Sequence, residues 1–191
     1  DGHFARGRAA LVVFVTSHPF VTFRDQHFEK TEEDFVITAA HGPTRTVHEI
    51  NAAPAAEEYA EMLGITVDEL GPDVFSDNPV VLSIGGEQYV RSIQQANEDG
   101  SLTFYCAIDE GLVLSLARGQ DLVGSTQRSL AEVRESMDEL RLIIGCECIL
   151  RRLEAEGREL TGPMGDLMVS HHVVGFHTYG EQYGTLHVNQ T

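Results

Sequence analysis

The residues best suited to chemistry lie near the C-terminus, in Gly175-Phe176-His177-Thr178-Tyr179-Gly180-Glu181-Gln182-Tyr183. Alternate residues of a strand face opposite sides. An extended stretch here sets His177, Tyr179, Glu181 and Tyr183 on one face, and Phe176, Thr178, Gly180 and Gln182 on the other. The first face carries two phenols, an imidazole and a carboxylate, with no aliphatic residue. A strand that filled a core would show Val, Ile or Leu there. Strand glycines mark a bulge or the close approach of backbone to something else. Aromatic walls, one acid for an ammonium or hydroxyl, and room left by missing side chains suit a small polar ligand. A solvated edge strand with ordinary tyrosines would account for the same residues.

A second constellation is Cys146-Glu147-Cys148-Ile149-Leu150-Arg151-Arg152. Glu147 interrupts an apolar run, and a buried carboxylate is costly unless paired. If the chain turns helical here, Glu147 and Arg151 are i, i+4 and can pair. Arg151 or Arg152 could instead hold a ligand carboxylate with two hydrogen bonds, and a structural ion pair at a strand end is the plainer reading. Cys-x-Cys followed by His171-His172 is a poor zinc pattern, and buried thiols are the commoner outcome. None of the nine histidines, His177 included, sits in a heme-attachment or His-Glu-x-x-His context. A single axial histidine needs no motif, so heme stays open. Arg91, in Tyr89-Val90-Arg91-Ser92-Ile93, is a lone charge inside a strand pattern and raises the same question as Glu147. Gly85-Gly86 is followed by Glu87 rather than a lysine, which excludes a phosphate loop, and no Gly-x-Ser-x-Gly is present.

The elements that must position these residues read as α+β, a largely antiparallel sheet or sheets with packed helices, possibly arranged as two lobes. Strands are expected at Ala10–Thr16, Phe20–Phe23, Phe35–Ala39 and Thr44–Ile50. Asn51 should cap a helix over Ala52–Leu63 that Gly64 ends, with a short helix at Thr66–Leu70. Gly71–Pro79 is turn-rich. Val80–Ile84 and Gln88–Ile93, joined by Gly85-Gly86, read as a hairpin. Leu102–Ile108 and Leu112–Ala117 read as a second, and the four strands together as a meander. Helical spacing runs over Asp121–Leu140. Leu142–Cys148 is the most apolar strand and should be central. Ile149–Glu156 and Met164–His171 read as helices, and Val173–Tyr183 and Thr185–Asn189 as the last strands.

The bulk numbers narrow the function classes. The chain has 191 residues, 13 basic against 30 acidic, and a net charge of −17. Such a surface repels phosphate backbones and anionic membranes, so no nucleic acid or membrane partner is expected. Lys30 is the only lysine, which makes each arginine a candidate for pairing or anion binding. Leu142–Leu150, broken by Glu147, is the longest apolar run, far from the roughly 18 residues that span a bilayer. Three cysteines, two of them one residue apart, make a poor disulfide framework and point to a reducing, cytoplasmic home. Asp1-Gly2-His3 shows neither an initiator Met nor a signal peptide, and the chain reads as a piece of a longer protein.

Several segments, in order, resemble the C-terminal domain of the FIST family: Asn78-Pro79, Tyr89 to Ile93, Asp99-Gly100-Ser101-Leu102, Cys148 to Arg152, Gly175-Phe176 with Thr178 to Gln182, and His187 to Thr191. The likeness runs from about Pro54 to the end. It implies a FIST C-terminal sensory domain over residues 51–191, with residues 1–50 as the tail of a FIST N-terminal domain. The resemblance further implies a prokaryotic, intracellular, non-catalytic signal-transduction module that binds a small ligand such as an amino acid. Its output would be a partner such as a histidine kinase or a cyclic-nucleotide enzyme. Heme-based sensing of nitric oxide, known for some members, is one alternative. An enzyme using Glu181 or Cys148 is another. The ligand-binding residues implied are Arg91, Cys148, Arg151, Tyr179, Glu181 and Asn189, and no role is implied for His177.

Overall fold

A computed structural model describes residues 6–183 and 186–191. The opening Asp1–His3 and Thr185, the expected start of the last strand, lie outside the described residues. One large sheet dominates. Its strands are β1 (Phe28–His41), β2 (Thr46–Ile50), β3 (Ala53–Pro54), β4 (Val80–Ile84), β5 (Glu87–Arg91), β6 (Ile93–Ala96), β7 (Leu102–Phe104) and β8 (Val113–Gly119). They lie in the order β5-β4-β8-β1-β2-β7-β6, with β3 on β2, and every pairing in this sheet is antiparallel. β5 and β6 sit at opposite ends of that order, yet only Ser92 separates them in sequence. The sheet must therefore curl until its ends almost meet. The 14-residue β1 makes the bend: its first part pairs with β8 and its second with β2, with register shifts between Lys30 and Asp34 and again between Ile37 and Ala40. Bulges of this kind bend a strand and sharpen its twist.

The curled sheet closes over Phe35, Ile37, Val47, Ile50, Leu102, Phe104 and Leu114. Helix α1 (Ala55–Leu63) and the short α2 (Pro72–Asp77) complete this core with Tyr59 and Phe75. The Tyr59 hydroxyl, fully buried, donates to the Asn78 carbonyl at 2.6 Å. Gly64 ends α1 in the left-handed region, as expected. Pro54, not Asn51, occupies the N-cap, because β3 holds the preceding residues in the sheet. Thr66 and Glu69 form a reciprocal capping box on a 3₁₀ turn at Val67–Glu69.

A second layer follows. It comprises α3 (Leu122–Glu135), β9 (Ile143–Cys148), α4 (Ile149–Gly157), α5 (Thr161–Ser170) and β10 (Val173–Thr178). The hairpin β11 (Glu181–Tyr183) and β12 (Leu186–Val188) comes last. Leu122, Ala155 and Met164 form a separate small core under the three helices. β9 and β10 pair in parallel, Ile143 against Val173 through Cys148 against Thr178, with the two helices as the crossover. His27, at the foot of β1, ties the layers together. Its Nε2 lies 2.9 Å from Glu154 on α4, and Arg158 bridges Glu154 to Asp77 at 3.0 and 3.2 Å.

Other expectations fail as well. Ala10–Thr16 and Phe20–Phe23 form no strand: Leu11, Phe14 and Val15 are exposed, because strand propensity without a neighbouring edge makes no ladder. The four strands after Gly71 are no meander. The β4–β5 and β6–β7 hairpins cap opposite ends of the sheet, and β8 returns between β4 and β1. Leu142–Cys148 is not central either, since β9 pairs with β10 alone. Ile143 and Ile144 line a cavity instead, and Leu142 is exposed.

Candidate functional site

β9 runs straight into α4 at Cys148, and this junction sets Glu147 and Arg151 one helical turn apart. The expected pair forms, with Arg151 Nε 3.5 Å from Glu147 Oε1. Arg152 points the other way and pairs with Glu156 at the surface. The Arg151 side chain is 2% exposed. One terminal nitrogen donates to Asp25 Oδ2 at 2.8 Å and Thr126 Oγ1 at 2.7 Å, and the other to the Asp25 carbonyl at 3.4 Å. Asp25 also accepts from the hydroxyls of Thr126 and Ser129. Burial pushes the Asp25 carboxyl up, but the Arg151 guanidinium and the two hydroxyls outweigh it and hold it below its ordinary value.

Beside this pair opens a cavity of about 450 Å³. Arg24 and Asp25, ahead of β1, form one wall; Thr126 and Leu130 of α3, β9, β10 and β11 form the others. Arg24 lies over the Tyr89 and Tyr183 rings, at 4.7 and 5.7 Å, and donates to Glu87 at 3.1 Å. His177 Nδ1 is 3.4 Å from Glu147. Glu181 accepts from the Thr178 hydroxyl and, at 3.0 Å, from Thr191 Oγ1. Burial raises its pKa above the ordinary value despite these hydroxyls.

The Gly175–Tyr183 stretch is not one strand. β10 stops at Thr178, and Gly180, at φ +139°, turns the chain before β11. The alternation does not hold: His177, Glu181 and Tyr183 line the cavity, but so do Phe176 and Gln182 of the opposite face, while Tyr179 is 87% exposed beside it. The missing side chains make room for protein rather than ligand. A Cβ at Gly175 would collide with the Gly145 carbonyl on β9, and one at Gly180 with the His187 ring.

Of the six residues implied by the resemblance, Arg151 and Glu181 line the cavity. Cys148 is buried behind it; its backbone N–H donates to the Thr191 carbonyl, and burial pushes its thiol up. Arg91 and Asn189 lie at the seam between β5 and β6. Arg91 donates to the His187 carbonyl at 2.6 Å, and Asn189 Oδ1 accepts from Ser92 N at 3.4 Å. Phe23, Arg24, Asp25 and Thr126 escaped the sequence reading. Only the polar run Arg24 to His27 between Phe23 and Phe28 hinted at the first three.

A family model, the FIST C domain, matches residues 55–184. The chain belongs to the FIST C domain family. This family is associated with sensory signal transduction. The FIST C match begins after β1 and β2, which nonetheless occupy the middle of the sheet. No curated protein and no solved structure matches the chain. Among the described residues of this FIST C protein, no helix is long and apolar enough to cross a membrane, and no group of three His, Cys, Asp or Glu side chains could hold a metal ion.

Proposed function

We propose that this protein is the ligand-binding sensory part of a cytoplasmic, prokaryotic signalling system. In this reading it binds a small polar molecule such as an amino acid in the cavity beside Arg151 and Glu181, without catalysis. It passes occupancy to a partner such as a histidine kinase or a cyclic-nucleotide enzyme. The supporting observation is the cavity itself: about 450 Å³, apolar over much of its wall, with a few convergent charged and hydroxyl groups. That size and lining are usual for small-molecule sites. The proposed boundary between residues 50 and 51 runs through the large sheet, so the tail of the preceding domain and the sensory domain would share one sheet. Heme suits the lining poorly. It carries two carboxylates of its own, and here they would face Asp25, Glu147 and Glu181, with both arginines already paired.

The test is a thermal-shift screen of the twenty amino acids and small carboxylates. A ligand at 100 times its Kd adds about 2.7 kcal/mol, or roughly 5–10 °C for a chain of this size. The shift should disappear in Arg151→Met. Absence of any shift across the panel would overturn the proposal.

A further inference from the structure

The charges around the cavity do not balance. Arg24 is taken up by Glu87 and by the faces of Tyr89 and Tyr183. Asp25 is saturated by Arg151 and two hydroxyls. Glu147 has Arg151 Nε at 3.5 Å and His177 at 3.4 Å, both outside good hydrogen-bond distance. Glu181 has hydroxyl partners, and among the described residues no cation pairs with it. It is therefore a half-buried carboxylate, facing an apolar space, without a counter-charge. A carboxylate so placed is costly unless a cation joins it. The remaining wall, Leu130, Ile143, Met168, Val173, Phe176 and Tyr183, asks for apolar surface.

An independent observation concerns Arg151. Its Nε–H is buried and has no hydrogen-bond acceptor, although the side chain is almost fully enclosed at the cavity wall. A buried donor of this kind calls for an acceptor. The terminal nitrogens are already spent on Asp25 and Thr126, so Arg151 cannot grip a ligand carboxylate with two parallel bonds. It can still donate one hydrogen bond from Nε–H to a single ligand oxygen.

We propose that the cavity selects a molecule with a primary ammonium group on an apolar body, Glu181 receiving the ammonium and Arg151 Nε–H meeting an oxygen where the ligand carries one. This deepens the reading of the cavity as a small-ligand site and rests on it. The ligand is chosen by its positive end. A carboxylate alone is a poor ligand, because it would meet three acids and only one free N–H.

Four probes of one shape separate the charges: phenethylamine, 2-phenylethanol, 3-phenylpropionate and L-phenylalanine. Calorimetric titration of the wild-type protein at neutral pH should rank phenethylamine at least roughly tenfold above the alcohol, a modest return for one charge-assisted hydrogen bond. The alcohol should exceed the propionate, and L-phenylalanine should equal or exceed the amine. Glu181→Gln should remove most of the advantage of the amine over the alcohol. The wild-type ranking stands as a test even if that variant fails to fold. A propionate that binds as tightly as the amine, or an amine preference untouched in folded Glu181→Gln, overturns the inference. If all four fail while a polar amino acid raises the melting temperature, this inference falls and the sensory reading survives. If the whole panel fails, both fall.

Discussion

Asp25→Ala offers the sharpest test of how the cavity wall is held. The substitution removes the nearest carboxylate from a guanidinium whose side chain is 2% exposed, and the acceptor used by Ser129 and Thr126. Removing one partner of a buried ion pair costs about 3–5 kcal/mol, because the other charge is left buried. Glu147 still stands 3.5 Å from Arg151, and Thr126 still accepts from it at 2.7 Å. The lower end applies, about 3 kcal/mol, or roughly 6–12 °C in melting temperature for a chain of this length. Urea unfolding at neutral pH measures it. Arg151→Met removes the charge altogether, so Asp25→Ala added to Arg151→Met should cost much less than it does alone, with about 2 kcal/mol of coupling. The pH dependence has a definite sign. Asp25 titrates below its ordinary 3.8 in the folded protein, so its contribution is complete above that value and fades as pH falls through the folded pKa. The gap between wild type and Asp25→Ala should be flat from neutral pH to about 5 and narrow below 4. A cost under about 1 kcal/mol, or strictly additive substitutions, would refute the reasoning.

Two further expectations concern β9 and β10. Gly175→Ala should destabilise by about 1–3 kcal/mol in chemical denaturation, since the added methyl meets backbone that cannot step aside. Cys146 is exposed whereas Cys106 and Cys148 are buried, so a thiol reagent should modify one cysteine in the native protein and three after unfolding.

Local features were the most legible part of the fold. The Gly85-Gly86 hairpin, the Gly64 stop, the strand-to-helix change at Cys148 and the Glu147–Arg151 pair depend on neighbours in sequence, and each was readable there. Long-range pairing was not. Leu102–Ile108 and Leu112–Ala117 look like one hairpin, but β7 joins β2 and β6 while β8 joins β1 and β4. Nothing in the three intervening turn residues records that choice. Leu11 to Val15 shows the converse, strong strand propensity with no edge to satisfy it. For the site, Glu181 and Arg151 were found because an acid and a base stand out within apolar or aromatic surroundings. Asp25 was missed because its partners, Thr126, Ser129 and Arg151, lie more than a hundred residues away. Tyr179 was set on the wrong side because β10 ends at Thr178, one residue short of it, and breaks a period that sequence alone presents as continuous.

The seam between β5 and β6 also sets a folding order. Ser92, the one residue joining the two ends of the sheet, hydrogen-bonds to Asn189 and Gln190, 97 and 98 residues downstream. Gln190 is fully buried and reaches on to the Ser76 carbonyl at 3.0 Å. Contacts this distant in sequence carry a large loop-closure cost and form slowly. On a ribosome the hairpins can pair early, but the clasp at Ser92 cannot fasten until residue 190 has left the exit tunnel. Until then the seam between β5 and β6 lacks its clasp.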